Sequence, residues 1–319
     1  MKLSVVVPSY GRPDSLRSCL AAILSGNRAP DELVAVVRET DAASQALVDE
    51  LAAHDGRGIL RRVLVEEPGQ IAAINQGLRT ISGDIVCLTD DDTVPSAHWL
   101  ERLEACYGDE AVVGVGGRDR IPDSPDREPA DRVGVVTWYG AIIGNHHRGC
   151  AGIRRVDHLK GANMSFRRSA LPAFDPNLFR AASMLNDTDA SLGARRHGIL
   201  LYDPEAVVDH YPAERGAGVT RDIDDPEVVR ADSHNWAYCM LKHLPWWGKA
   251  AFLVYALLVG QGSRFGILKW LQACLRRRPN AWRQFRASTR GKLQGLQTYL
   301  RTRGGRQPAA TRAEVKDGP

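Results

Sequence analysis

The first 120 residues alternate short β-branched runs with amphipathic stretches, and this alternation narrows the fold more than any other feature of the chain. Each run suits one buried strand and each stretch one crossover helix. Strands are predicted at 3–8, 33–37, 61–66 and 84–88, and helices at 13–24, 42–54 and 71–81. The first helix opens with Pro13 and Asp14 and sets Leu16, Leu20, Ile23 and Leu24 on one face. A further helix is predicted after Ser96 as N-cap, with Trp99, Leu100, Leu103 and Tyr107 at helical spacing. The pattern is an α/β fold, a mainly parallel Rossmann-like sheet flanked by helices.

Residues 118–132 hold three prolines and many charges and read as a mobile surface loop. Strand-like segments follow at 133–138 and 163–166, then a helix at 188–196 and a strand at 206–209. From Val229 the pattern is helical and amphipathic, and beyond residue 303 it is a Gly-, Pro- and Ala-rich tail expected to be disordered. The chain is thereby expected to divide into 1–228 (halves 1–117 and 118–228), a helical region 229–303 and a tail 304–319.

With 44% hydrophobic and 25% charged residues, the composition excludes disorder throughout the 319 residues. The net charge of +4 conceals an asymmetry. Residues 260–319 carry 14 Lys or Arg against Glu314 and Asp317, a balance of +12, which leaves −8 for residues 1–259. Such a basic end points to an anionic partner, a membrane surface or nucleic acid. The six cysteines are single, with no C-x-x-C pair, which argues against a zinc site or a disulfide framework and for a reducing cytosol. The opening apolar run, stopped by Pro8, is too short for a signal peptide.

Asp90, Asp91 and Asp92 follow the apolar run 85–88, so three carboxylates are expected at the carboxyl end of a buried strand, where open α/β sheets bind ligands. Adjacent acids raise one another's pKa and invite a divalent cation, and oxygen ligands suit Mg²⁺ or Mn²⁺. A cation of this kind keeps positions open for phosphates, which makes a nucleotide diphosphate the natural ligand. Read alone, the cluster is equally a solvated turn that caps the next helix.

Five segments taken together carry a resemblance: SVVVPSYGR at 4–12, AAINQG at 72–77, SGDIVCLTDDD at 82–92, KGANMSFR at 160–167 and NDTD at 186–189. In order and spacing they resemble the family 2 glycosyltransferases, inverting enzymes with the GT-A fold, over residues 1 to about 210. The resemblance implies that Asp90 and Asp92 form the D-x-D pair, with Asp92 the direct metal ligand and Asp91 beside the donor ribose or sugar. It places Pro8, Tyr10, Arg12, Asn75 and, as a substitute for the usual acids, Asp41 toward the donor. Gly161, Asn163 and Asn186 fall on the acceptor side. Asp187 falls at the catalytic base, where a carboxylate takes the acceptor hydroxyl's proton; the other reading of Asp187 is a helix N-cap. His210, at the end of a strand, stands where relatives turn a histidine to the metal or diphosphate. The pair His146 and His147 reads as a solvated loop feature with no role.

Three features depart from the family pattern. Arg38 and Glu39 stand where an Asp pair usually meets the base, Ile74 where an arginine is common, and Asn186 where the first acid of the E-D motif belongs.

In the basic end, Trp246, Trp247 and Lys249 precede the apolar run 250–260, and Arg264, Lys269 and Arg276–Arg278 follow. Eleven apolar residues fall short of the roughly 20 that span a bilayer. An interfacial helix is expected, with Trp246, Trp247 and Trp270 at headgroup depth and arginines on anionic lipid. No nucleic-acid-binding motif accompanies the charge.

The expectation is thus a metal-dependent inverting glycosyltransferase, peripheral on the cytoplasmic face of the cell membrane. It would move a sugar from a nucleotide diphosphate sugar to a lipid-linked or polysaccharide acceptor. The alternative is a non-catalytic nucleotide-sugar-binding or scaffold protein. The absence of a G-x-G-x-x-G after the first strand argues against a dinucleotide oxidoreductase.

Overall fold

The computed structural model describes residues 1–122, 128–179, 185–212 and 225–302. In chain order the first elements are β1 (Leu3–Ser9), α1 (Pro13–Leu24), β2 (Glu32–Arg38), α2 (Ala42–His54), β3 (Leu60–Val65), α3 (Gln70–Leu78), β4 (Ile85–Leu88), β5 (Thr93–Pro95) and α4 (Trp99–Ala105). There follow β6 (Val112–Arg120), β7 (Val135–Val136), β8 (Ile142–Ile143), β9 (Arg154–Val156), β10 (Met164–Arg167), α5 (Asn186–Ala194) and β11 (Ile199–His210). The rest is α6 (Pro226–His243), α7 (Trp246–Leu258), the short hairpin β12–β13 (Gly260–Gln261, Arg264–Phe265), α8 (Ile267–Leu275) and α9 (Ala281–Arg301).

The apolar runs of β1, β2 and β4 are buried on both faces, as a sheet covered by helices on two sides requires. The sheet order is β3-β2-β1-β4-β10-β6-β11-β5, with β9 also on β11. β1 pairs in parallel with β2 and β4, while β10 is antiparallel to both β4 and β6, and β11 is parallel to β6. Consequently β1, β4, β6 and β11 all run the same way and end on one edge. Leu3, Val5 and Val7 of β1 pack under α1, α2 and α4, and Val6 packs on the other face with residues of α3 and α5. The close approach of α3 needs a glycine: a Cβ on Gly77 would stand 2.5 Å from Val6 and 2.9 Å from Val36.

Several boundaries differ from the sequence reading. Residues 118–120 are the end of β6, not a loop, because their charges have partners: Arg120 makes two hydrogen bonds to Asp209 of β11, at 2.5 and 2.7 Å, and Asp119 is buried. Ser96 does not cap α4 with its side chain; His98 is the N-cap, and Ser96 offers only its carbonyl to the Trp99 N–H. α5 begins at Asn186, two residues early, which puts Asp187 in its first turn. The disordered tail expected at 304–319 lies outside the described residues.

The basic end departs most. α6 buries 13 of its 18 residues, including Asp232, His234 and Asn235, so it is a core helix rather than an amphipathic surface one. α9 lies along it through Ala287, Ser288, Gly291, Gly295 and Thr298, and a Cβ on Gly291 would come within 2.1 Å of the Arg230 carbonyl oxygen. Small residues at this spacing let two helix backbones approach closely. Trp270 is not at the surface layer expected for it: it stacks on Phe285, with ring centroids 5.0 Å apart, in a small core with Phe265, Ala273 and Ala281.

Candidate active site

Because β1, β4, β6 and β11 end on one edge, their last residues and the turns that follow converge: Ser9 and Arg12 after β1, Asp90–Asp92 after β4, Asp119 on β6 and His210 on β11. β5 tightens the cluster. Its antiparallel register sets Thr93 opposite His210, and the Tyr211 N–H donates to the Asp92 carbonyl at 2.8 Å, which brings the Asp92 and His210 side chains together.

The three acids have different partners. Asp90 is half-buried and accepts a hydrogen bond from Gln70 Nε2 at 2.8 Å. Burial, and then the neighbouring Asp92, raise its carboxyl above the ordinary range. Asp91 is fully buried; it accepts from Ser9 Oγ at 2.6 Å and pairs with Arg12 at 2.5 Å, and burial still pushes it up to about 7. Asp91 therefore braces the end of β1 from beneath the surface, away from the donor-facing position the resemblance implied. Asp92 accepts from Arg12 Nη1 at 3.0 Å, and its other oxygen lies 3.4 Å from His210 Nε2. Burial alone would lower His210, but the carboxylates of Asp119 and Asp92 hold its imidazole up at about 9.

One ligand atom each from Asp90, Asp92 and His210 lies within 4.8 Å of the others. Two carboxylates and an imidazole form a donor set suited to Mn²⁺ and acceptable to Mg²⁺, so these residues fit the divalent cation expected from the sequence. Arg12, expected at a phosphate, is the counter-charge of Asp91 and Asp92. A second grouping of Asp189, Cys239 and His243 has similar spacing, but the Lys242 ammonium already occupies the Asp189 carboxylate at 2.8 Å.

Asp187 follows Asn186, the residue through which this cluster is linked to α5. Its Oδ2 accepts from the Gly161 N–H at 3.0 Å and its Oδ1 from the Thr188 N–H at 2.7 Å. It is not the N-cap of α5, a position held by Leu185 in the left-handed region. Gln70 forms the bridge between the two groups, since it donates to Asp90 and accepts from Asn186 Nδ2 at 3.4 Å. Thr89 fastens the Gly161 turn beside the acids through a 2.7 Å bond to the Ala162 carbonyl.

Other expected residues have structural duties. Asn163 is fully buried and bonds Trp99 Nε1 at 2.9 Å and the Ala206 carbonyl at 2.7 Å, so it is a bracket beneath the acceptor-side turn and not a surface contact. Asn75 commits both amide atoms to the backbone of Phe174, each at 2.8 Å. Asp41 caps α2 through Ser44 and ties in the Gly11 N–H at 2.5 Å, which occupies both of its oxygens. Pro8 is buried in β1. Tyr10 remains available: it is 46% exposed, with the Arg38 guanidinium 5.4 Å from its ring centre. His146, read as solvated, is buried against His158 and Tyr202.

α6 clamps the helix that carries Asp187. Lys242 Nζ donates at 2.8 Å to both Asp175 and Asp189, and His243 Nε2 stands 2.8 Å from Asp189. Burial opposes ionisation of Asp189, but His243 and Lys242 outweigh it and hold the carboxyl down at about 2. Lys242→Met is expected to leave two buried carboxylates without their cation and to lower stability by about 3–5 kcal/mol in a denaturant titration. The Asp189 contribution is complete above the ordinary carboxyl range, near 4, and disappears as the pH falls through about 2. A variant as stable as the parent would show the clamp to be idle.

Comparison with known proteins agrees with this geometry. The family model described as glycosyltransferase like family 2 matches residues 2–222. A Haloferax volcanii glucosyl-dolichyl phosphate glucuronosyltransferase is 28% identical over 172 residues, 53% of each chain. A Pseudomonas aeruginosa undecaprenyl-phosphate 4-deoxy-4-formamido-L-arabinose transferase is 30% identical over 154 residues, 46% of this chain and 45% of its own. The matches thus span about half the length of these curated relatives. Among solved structures, the mannosyltransferase PcManGT of Pyrobaculum calidifontis, in complex with GDP-Man and Mn²⁺, superposes with a TM-score of 0.54 at 16% identity over 94% of this chain and 87% of its own. S. aureus TarS 1–349 with UDP-GlcNAc gives 0.57 at 14% identity over 94% and 92%. The helix-flanked sheet is therefore the GT-A-type α/β fold, and the chain belongs to glycosyltransferase like family 2.

Proposed function

We propose that this protein is a metal-dependent inverting glycosyltransferase that transfers one sugar from a nucleotide diphosphate sugar to a lipid-linked or polysaccharide acceptor. The observation that carries the reading is the convergence of Asp90, Asp92 and His210 on one sheet edge, with Gln70 linking Asp90 to Asn186, the residue before Asp187. A divalent cation held by Asp90, Asp92 and His210 would offset the charge that develops on the departing diphosphate. Asp187, oriented by the Gly161 and Thr188 N–H groups, accepts the proton of the acceptor hydroxyl. The acceptor oxygen then bonds to the anomeric carbon as the carbon–phosphate-oxygen bond breaks, and the electron pair leaves with the nucleotide diphosphate. A single in-line displacement inverts the anomeric centre.

The lipid-linked acceptor rests on two supports. Relatives named for dolichyl and undecaprenyl phosphates are one. The other is the surface of α7, where Trp246 (82% exposed), Trp247, Leu253, Val254, Leu257 and Leu258 stand open to solvent. No helix among the described residues is long and apolar enough to cross a membrane. A peripheral seat on the cytoplasmic face, through α7 and the basic helices after it, suits this surface.

The test is calorimetry of the full chain against nucleotide diphosphate sugars with Mn²⁺, Mg²⁺ or a chelator, followed by NMR of the product's anomeric configuration. Metal-dependent binding and an inverted product are expected. Donor binding without transfer or donor hydrolysis would favour the non-catalytic alternative, and retention of configuration would overturn the displacement at Asp187.

A further inference from the structure

α8 carries two stripes of opposite character. Leu268, Leu271 and Leu275 recur at helical spacing and are exposed, the last at 85%. Lys269, Gln272 and Arg276 each follow one residue later, so they form a second stripe about 100° around the helix. This second stripe, together with Arg278, lines a cleft of about 180 Å³ floored by Phe265 and Ala273.

The cleft gathers three cations without an acid. From Ser233 to Arg301 the chain contains no Asp or Glu, whereas it contains Lys242, Lys249, Lys269, Lys292 and a series of arginines. Arg264 of the neighbouring hairpin is paired with Asp232 at 2.7 Å, but Lys269, Arg276 and Arg278 make no salt bridge among the described residues. Lys269 donates to the Gly262 carbonyl, and burial followed by the nearby Arg278 holds its ammonium below the ordinary value. Crowded cations in a concave site are stabilised by an anion.

Resting on the membrane-associated reading above, we propose that this cleft binds the phosphate of an anionic lipid headgroup while Leu268, Leu271 and Leu275 enter the acyl layer beside it. The leucine stripe selects the source of the phosphate. A dissolved anion or a nucleic acid would leave three leucines in water, whereas a bilayer surface offers phosphate and hydrocarbon at adjoining depths. Trp246 and Trp247 at the start of α7 are exposed as well.

The experiment is flotation of the full chain with phosphatidylcholine vesicles that contain or lack phosphatidylglycerol, at fixed ionic strength. Two double variants of equal charge loss are compared: Lys269→Gln with Arg278→Gln in the cleft, and Arg283→Gln with Arg286→Gln on exposed positions of α9. Thermal melting checks that both fold. The cleft pair is expected to lose about tenfold more affinity for phosphatidylglycerol vesicles than the α9 pair, with donor binding unchanged in both. Equal losses would mean that the charge acts only as a diffuse field, and would overturn the cleft. Saturable inorganic phosphate binding at the cleft with no preference for vesicles would overturn the lipid assignment. Failure of the unmodified chain to float with any vesicle would instead defeat the membrane reading on which the cleft depends.

Discussion

Asp92→Ala is expected to abolish metal-dependent donor binding, so that titration with a nucleotide diphosphate sugar gives the same weak signal in Mn²⁺ as in chelator. Transfer should fall by about 10³-fold or more, since a cation on a departing diphosphate is worth several kcal/mol in the transition state. Asp92 occupies the centre of the cluster: one oxygen accepts from Arg12 and the other faces His210. Without it the proposed cation would lose one of its three candidate ligands, and Arg12 loses one of its two carboxylates. Asp92→Asn keeps the shape and should fail almost as completely, which separates loss of charge from loss of packing. Donor affinity that still responds to metal as in the unmodified chain would sink the assignment of Asp92.

Asp187→Asn should leave donor binding intact and lower transfer by about 10²- to 10⁴-fold, the range for loss of a general base. The amide is isosteric, and its one oxygen can still accept the Gly161 N–H bond while the Thr188 N–H bond is given up, so thermal melting is compared alongside. What disappears is basicity. The comparison is kcat at saturating acceptor against donor affinity by calorimetry. Near-normal turnover would mean that the attacking oxygen arrives already deprotonated, as a lipid phosphate oxygen does at neutral pH, and Asp187 would lose the role of base.

Much of this site was legible in the sequence because its residues terminate apolar runs. Asp90–Asp92 after β4 and His210 at the end of β11 are polar residues at strand ends, and the one-way direction of those strands follows from the βαβ alternation. Asp119 was missed for a physical reason. Arg118-Asp119-Arg120 reads as an exposed loop until Asp209 and His210 are known to neutralise it from a strand some 90 residues later. Gln70 carries no signal at all: nothing local distinguishes a glutamine at the start of a helix from one that bridges Asp90 to Asn186. The helical end was read as amphipathic, but in α6 the polar residues are buried with the apolar ones. Asp232 bonds Arg264, His234 bonds Thr298 and Lys242 bonds Asp175 and Asp189, so these side chains are polar yet buried.

That burial of α6 governs the order in which the chain can be completed during synthesis. α6 ends at His243, but the helix that covers it, α9, ends at Arg301. At about 5–20 residues per second, ribosomal elongation leaves several seconds in which α6 has emerged and its cover has not. Throughout that interval the Lys242 and His243 grip on Asp189 lacks its support, and the hydrophobic side of Trp236, Met240 and Leu241 awaits α7 and α9. The sheet can form early from its own local units, whereas the final setting of Asp187 is postponed until the distal helices arrive. Premature termination anywhere between them should therefore yield a sheet with an unseated α5 and a sticky nascent surface, a natural substrate for chaperones rather than a smaller folded protein.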